Sequence, residues 1–174
     1  MDELVPFGGA LYFALLGILL SARGADFLST WIATPNLVLE ANPIAKKLGW
    51  RGGMALNVVL CTAFALWPLP AIVISTTSLL VAARNLQNAW LMRSLGEELY
   101  RAWVVERVRE TPIVLYLFCL LGQSALIASV GAALMFFSHM FLVPFAVGMG
   151  IVTYAVAVSV FTLLSLWRVR RVLA

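Results

Sequence analysis

The stretch of residues 54–83, MALNVVLCTAFALWPLPAIVISTTSLLVAA, decides how this chain folds, and it contains no charged residue. As a single helix it would be ~45 Å long, whereas about 20 helical residues are enough to cross the ~30 Å apolar core of a bilayer. Pro68 and Pro70 lie in its middle. Two prolines this close together remove two backbone donors and clash with the preceding helical turn. The stretch therefore predicts two helices joined by a turn at residues 68–70.

The positions of the basic residues favour the same turn. With a turn at residues 68–70 the chain crosses the membrane five times, and one set of basic residues lies on one side of the membrane with no Lys or Arg on the other. With a single long helix the chain crosses four times, and residues 93–109 lie on the opposite side of the membrane from residues 46–51. Cytoplasmic loops carry the excess of Lys and Arg, so we expect five crossings, an external N-terminus and a cytoplasmic C-terminus. The basic set comprises Lys46, Lys47, Arg51, Arg93, Arg101, Arg107, Arg109, Arg168, Arg170 and Arg171.

The composition indicates an integral membrane protein. The chain is 63% hydrophobic and 11% charged, which is too little polar surface to cover a water-soluble globule of this size. A second uncharged stretch extends from residue 111 to residue 167. The fold class expected is all-α, a helix bundle embedded in the bilayer.

The whole chain, residues 1–174, is predicted to form a single membrane domain. The weakest span is the second, because the 15 residues from Gly53 to Trp67 cover only ~22 Å as a helix. A helical stripe of apolar residues between the third and fourth spans predicts an interfacial helix at about 95–109. The spans expected are approximately 6–33, 50–67, 69–90, 111–137 and 141–167.

Several function classes are excluded by what the sequence carries and where. The formal charge of +4 comes from residues that flank apolar segments, as membrane anchors do, so we expect no nucleic acid partner. His139 is the single histidine, and Cys61 and Cys119 lie inside apolar runs. These residues form no metal-ligand or nucleophile–base pattern. We expect no cofactor, no metal and no catalytic residue.

Polar residues interrupt two predicted spans. Arg23, Asp26 and Thr30 have the spacing of one helix face, and a second group surrounds Arg84 at a similar predicted depth near the cytoplasm. Asp26 could pair with Arg23 or Arg84 for purely structural reasons, but ionisable residues inside a membrane are costly and often functional. The candidate binding residues are Arg23, Asp26, Thr30, Glu40, Asn42, Arg84, Asn85 and Asn88.

Part of this pattern resembles a known family. Asp26-Phe27-Leu28-Ser29-Thr30, followed by Glu40-Ala41-Asn42-Pro43, is similar to the Asp-x-x-[Ser/Thr]-Thr and Glu-x-Asn-Pro motifs of an uncharacterised family of small bacterial and archaeal membrane proteins. The resemblance covers about the first 90 residues and implies no activity. The family often has Lys in the following helix, where this chain has Asn57. The resemblance implies a multi-pass protein of the prokaryotic cytoplasmic membrane.

Three hypotheses of function stay open at this point. The first is a transport or solute-binding protein with a polar cluster that faces the cytoplasm. The second is a structural or accessory subunit of a membrane complex. The third is an intramembrane enzyme that acts on a lipid or isoprenoid substrate, with Asp26 and Glu40 as an acid–base pair. A non-enzymatic role is favoured, with membrane lipids and either a homo-oligomer or a partner membrane protein as the expected partners.

Overall fold

The computed structural model describes residues 4–40, 43–139 and 141–173. Within these ranges the chain forms six helices and no strands, as the predicted fold class requires. Four of them, α1, α3, α5 and α6, are long and apolar enough to cross a membrane. The helices are α1 (Ala10–Ala33), α2 (Pro43–Phe64), α3 (Pro68–Leu95), α4 (Glu97–Glu110), α5 (Ile113–Phe137) and α6 (Leu142–Leu173).

Large apolar side chains cover the outside of the helices. Phe118 and Leu126 on α5 are 76% and 72% exposed, and Val59 on α2 is 63% exposed. Exposed apolar patches of this kind would be unfavourable in water and are stable against lipid tails. The surface of the molecule therefore fits a bilayer.

The uncharged stretch 54–83 is divided between two helices. Helix α2 ends at Phe64 and α3 begins at Pro68. The turn therefore lies at residues 65–67, just before the predicted position at residues 68–70. Pro68 occupies the start of α3, where a missing backbone N–H breaks no helical hydrogen bond. The prolines thus lie at the start of α3 and not in the turn before it.

Helix α2 is interrupted near its start and is not one of the four helices long and apolar enough to span. Gly49 has φ +63° and ψ −172°, a conformation that costs glycine little and other residues more. After Gly49, α2 runs antiparallel to α1. Tyr12 Oη donates to the carbonyl of Thr62, while at the other end the Phe27 and Trp50 rings lie 4.9 Å apart.

Helices α1 and α3 run parallel. Tyr12, near the start of α1, shares a buried apolar cluster with Ala71, near the start of α3. Further along, Asn85 of α3 donates a hydrogen bond to Thr30 of α1. Because the contacts advance in the same direction on both helices, the chain between them must return along the length of the bundle, and α2 is that return.

Helices α5 and α6 form an antiparallel hairpin that packs on α3 through α6. A Cβ placed on Gly131 would lie 2.7 Å from the carbonyl oxygen of Gly148, so the α5–α6 crossing depends on glycine. On the other side of α6, a Cβ on Gly150 would lie 2.7 Å from the Cβ of Thr76. Helix α4 connects α3 to α5 and covers residues 97–109 of the interfacial helix predicted at about 95–109, whereas Leu95 is the last residue of α3.

Candidate functional site

Two polar sites lie on different faces of α3. The Arg23 cluster consists of Arg23, Asp26, Asn57 and Ser78, which come from α1, α2 and α3. The second site, the Arg84 groove, lies between α3, α5 and α6 and has a volume of about 820 Å³. It is lined by Leu80, Ala83, Arg84, Gln87, Asn88, Gln123, Ile127, Val130, Ile151 and Tyr154.

Arg23 joins three helices through its guanidinium group. Its Nη1 donates to Asp26 Oδ2 at 2.8 Å and to Ser78 Oγ at 3.2 Å, while its Nε donates to Asn57 Oδ1 at 2.7 Å. Asn57 in turn donates from Nδ2 to the carbonyl of Gly53. The side chains of Arg23 and Asp26 are 32% and 17% exposed. The cation is therefore neutralised and solvated by protein groups, as an ionised residue inside a membrane requires.

A second hydrogen-bonded group extends this contact toward the end of α1. Asn85 Nδ2 donates to Thr30 Oγ1 at 3.1 Å and to Ser29 Oγ at 3.3 Å. Ser29 Oγ donates to the backbone carbonyl of Asp26. These bonds join α1 to α3 and leave the Asn85 amide turned toward α1, away from the Arg84 groove.

The Arg84 groove differs because four of its polar side chains have no partner within the part of the chain that the structure describes. Among the described residues, no hydrogen bond or ion pair involves the side chains of Arg84, Gln87, Asn88 or Gln123. The Arg84 side chain is half-buried, whereas Gln123 and Asn88 are exposed. Leu80, Ile127 and Ile151 provide apolar walls beside them. One cation and three amides thus face an open, largely apolar cavity.

A carboxylate outside the spanning helices anchors the segment that follows α1. Glu97, at the start of α4, accepts hydrogen bonds from Thr34 Oγ1, from the backbone N–H and Nδ2 of Asn36, and from the backbone N–H of Val38. Desolvation raises the pKa of Glu97, but these hydrogen bonds favour the charged form and together outweigh it, so the pKa lies below its usual value. A charged Glu97 therefore stabilises this anchor.

The structure separates the predicted site residues into two groups. Arg23 and Asp26 form the ion pair, Thr30 and Asn85 are hydrogen-bonded to each other, and Glu40 lies within electrostatic range of Asp26. Arg84 and Asn88 line the groove on the other face of α3. Of the two pairings considered for Asp26, the structure has the one with Arg23. Asn42 lies outside the described residues.

Several residues of these sites were not among the predicted ones. Asn57 and Ser78 complete the Arg23 cluster, Gln123 faces the groove and Glu97 holds the α1–α2 segment. Asn57 and Gln123 are isolated polar residues inside apolar helices. A polar side chain is unfavourable in contact with lipid, and this was the sequence signal that both residues have polar surroundings. Glu97 carried no such signal, because a carboxylate at the start of an interfacial helix is ordinary.

Comparisons with known protein families, curated proteins and solved structures give no match to this chain. Any account of function therefore rests on the geometry of the two sites.

Proposed function

We propose that this chain is a non-enzymatic solute-binding or transport protein of the prokaryotic cytoplasmic membrane, which crosses the bilayer five times. Its ligand lies in the Arg84 groove. The Arg23 cluster has a structural role and fixes the three helices α1, α2 and α3 against one another.

Five crossings are supported by the direction of the helices. If α1 and α3 both cross and run parallel, then α2 between them has to cross as well, although its 15 residues after Gly49 and before Ala65 cover only ~22 Å. Tilt or local thinning of the membrane accommodates so short a span. Met54, Val58 and Val59 of α2 are exposed, which suits contact with lipid.

Orientation follows from the charges at the two ends of this bundle. The ends of α1 and α3 lie beside the start of α5 and the end of α6, and the basic residues are found there. The cytoplasm is therefore the expected compartment for this end. Cysteine labelling with an impermeant reagent in intact cells tests it, in a Cys61→Ser, Cys119→Ser background. Cysteine at the exposed His139 and at Leu69 should react, and Leu95→Cys should not. Labelling of Leu95→Cys from outside contradicts this topology.

The observation that carries the binding proposal is the Arg84 guanidinium, which has no partner among the described residues and faces a cavity of about 820 Å³. A charge at membrane depth costs ~2.5–3.5 kcal/mol on insertion scales unless something compensates it. Ligand sites commonly have volumes of ~300–1,000 Å³, apolar walls and a few converging polar groups. The groove has each of these properties.

Filling the groove tests the proposal. Ile127→Trp places an indole in the cavity, while Leu126→Trp makes a comparable change on the same helix at a position that is 72% exposed and does not line it. Native mass spectrometry of protein extracted from its host membrane should find a retained non-protein molecule on the wild type and on Leu126→Trp. Ile127→Trp should lose it. Equal retention by all three proteins contradicts binding in the groove.

A further inference from the structure

We infer that the ligand of the Arg84 groove is an anionic amphiphile, a membrane lipid whose negatively charged headgroup binds Arg84 and whose hydrocarbon chain lies along the apolar wall. This inference rests on the proposed function and adds the chemical class of the ligand. It follows from the charge, the hydrogen-bonding groups and the wall of the cavity.

The polar end of the groove fits an anion. Arg84 is the one charged residue among the residues that line it, so no carboxylate competes for the guanidinium there. Arginine binds carboxylate and phosphate oxygens through paired N–H groups. Gln87, Asn88 and Gln123 add amide N–H donors around it. A cationic headgroup would find no counter-charge at this site.

The rest of the groove fits a hydrocarbon chain. Leu80, Ile127, Val130 and Ile151 form its wall, and Val130 is itself 57% exposed. The groove is open on one side instead of enclosed, so a molecule already in the bilayer can enter sideways without crossing water. Burial of methylene groups is favourable when they leave water but contributes little when they leave lipid. Selectivity must therefore come from the headgroup.

The position of Arg84 along α3 suits a headgroup. About eleven residues separate it from the end of α3, or ~16 Å along the helix. Extension of long side chains and local thinning of the bilayer allow an arginine inside a membrane to meet lipid headgroups. The groove differs from the ordinary lipid-facing surface because walls from α5 and α6 hold the chain beside the same cation.

Binding of a defined probe to the full-length protein tests the inference. Dodecyl phosphate would be titrated into the purified protein in a neutral detergent, with binding followed by native mass spectrometry. The wild type should bind one molecule, Arg84→Gln should weaken binding about ten-fold or more, since one charge-assisted contact contributes at least ~1.4 kcal/mol, and Ile127→Trp should abolish it. Arg109→Gln removes a cation on exposed α4 and should bind as the wild type does.

Three further probes separate the alternatives. Dodecanoate should compete with dodecyl phosphate, because it shares the anionic headgroup and the chain, whereas dodecanol should not compete. Inorganic phosphate that binds as tightly as dodecyl phosphate would overturn the inference in favour of a free anion. Equal weakening by Arg84→Gln and Arg109→Gln would also overturn it, because the lipid would then be held by general charge.

Failure of the inference is distinguishable from failure of the proposed function. If Ile127→Trp loses the molecule extracted from the host membrane but dodecanol binds as well as dodecyl phosphate, the groove binds a ligand that is not anionic. The inference then fails and the proposed function stands. If Ile127→Trp loses neither the extracted molecule nor dodecyl phosphate, both fail together.

Discussion

The two faces of α3 carry similar polar residues in different states. On the face toward α1, Ser78 and Asn85 are hydrogen-bonded to Arg23 and Thr30, and the cation has an acidic partner on its own helix. On the face toward α5 and α6, Arg84 has amides around it but no bond to another described residue. A cation and amide groups occur on both sides of α3. On the side toward α1 protein groups bind them, whereas on the other side no described residue does.

This difference separates a structural role from a binding role more clearly than residue type does. A buried charge with its partners in place stabilises the arrangement of helices, and removing one partner leaves the other uncompensated. A charge without protein partners is compensated from outside, by water, a headgroup or a ligand. Substitutions on the two faces should therefore have different effects on stability and on binding.

The largest loss of stability is expected when the α3–α6 contact is forced apart. In Gly150→Leu the new Cβ would lie 2.7 Å from Thr76 Cβ and 3.0 Å from the Val73 carbonyl oxygen. Overpacking of this kind typically costs about 1–3 kcal/mol, and backbone on one side leaves little room to relax, so we expect about 3 kcal/mol. Thermal unfolding in detergent measures it.

The matched control for this substitution is Gly122→Leu on α5, where a Cβ meets nothing within 4 Å. It should not lower the midpoint of unfolding, because Leu is a better helix former than Gly. Gly150→Leu should also lose ligand binding, since α6 forms one wall of the groove, while the Arg23 cluster stays intact. An unfolding midpoint equal to the wild type's would show that α3 and α6 are not in close contact at Gly150.

The next largest effect concerns the ion pair. Asp26→Asn removes the anion that Arg23 contacts at 2.8 Å. Breaking a fully buried pair costs ~3–5 kcal/mol and an exposed one ~0–1, and this pair is partly exposed, so we expect about 2 kcal/mol. A double-mutant cycle identifies the partner of Asp26. When combined with Asp26→Asn, Arg23→Gln should restore part of the lost stability, and Arg84→Gln should not. Rescue by Arg84→Gln would mean that the two faces of α3 are coupled after all.

A smaller effect is expected at Glu97, beyond the end of the α1–α3 contact. Glu97→Gln should cost about 1 kcal/mol, because Glu97 is partly exposed and the amide keeps only one of the two oxygens that accept hydrogen bonds here. Hydrogen exchange at the amides of Asn36 and Val38 measures it locally. Glu98→Gln, at the exposed neighbour, should leave their protection unchanged; a similar loss in both variants would argue against a specific anchor.

The Glu97 anchor should also depend on pH in a defined direction. Its pKa is lower when folded than when unfolded, so the stabilisation is present above the unfolded value of about 4.3 and is lost as the pH falls through the folded value. Protection of Asn36 and Val38 should therefore be constant near neutrality and fall only at a pH below the unfolded value. Loss of protection between pH 6 and 7 would contradict this assignment.

The all-helical class was accessible from the sequence for physical reasons, and so was Arg23 as one of the two candidate partners of Asp26. Long uncharged stretches report on the solvent around a helix, and residues three or four apart on one helix are neighbours whatever the tertiary structure. The division of α3 into two faces was not accessible. Asn85 and Arg84 are adjacent in sequence, and which of them meets α1 depends on how the helices are rotated against each other.

The same limit explains Asn57, Gln123 and Glu97. Each makes its contact, or lines its cavity, with residues more than thirty positions away, and apolar helices in lipid offer no hydrophobic periodicity to show which face is turned inward. The predicted turn at residues 68–70 lies three residues after the observed one, because Pro is compatible both with a turn and with the first turn of a helix. Local chemistry was predictable here, and long-range helix rotation was not.

The smallest change in stability is expected where the groove is open. Arg84→Gln removes a cation that has no bond to another described residue, so no protein group is left unsatisfied and the free energy of unfolding should change by no more than about 0.5 kcal/mol. Arg23→Gln, an identical substitution on the other side of α3, should be clearly destabilising, because Asp26, Asn57 and Ser78 lose their donor. Thermal unfolding of the two variants in the same neutral detergent, without added anionic lipid, measures the contrast.

If Arg84→Gln destabilises the protein as much as Arg23→Gln does, Arg84 has a structural partner and the groove is not an open site. If its stability is kept while binding of an anionic amphiphile is lost, the two arginines have the separate roles that their surroundings indicate.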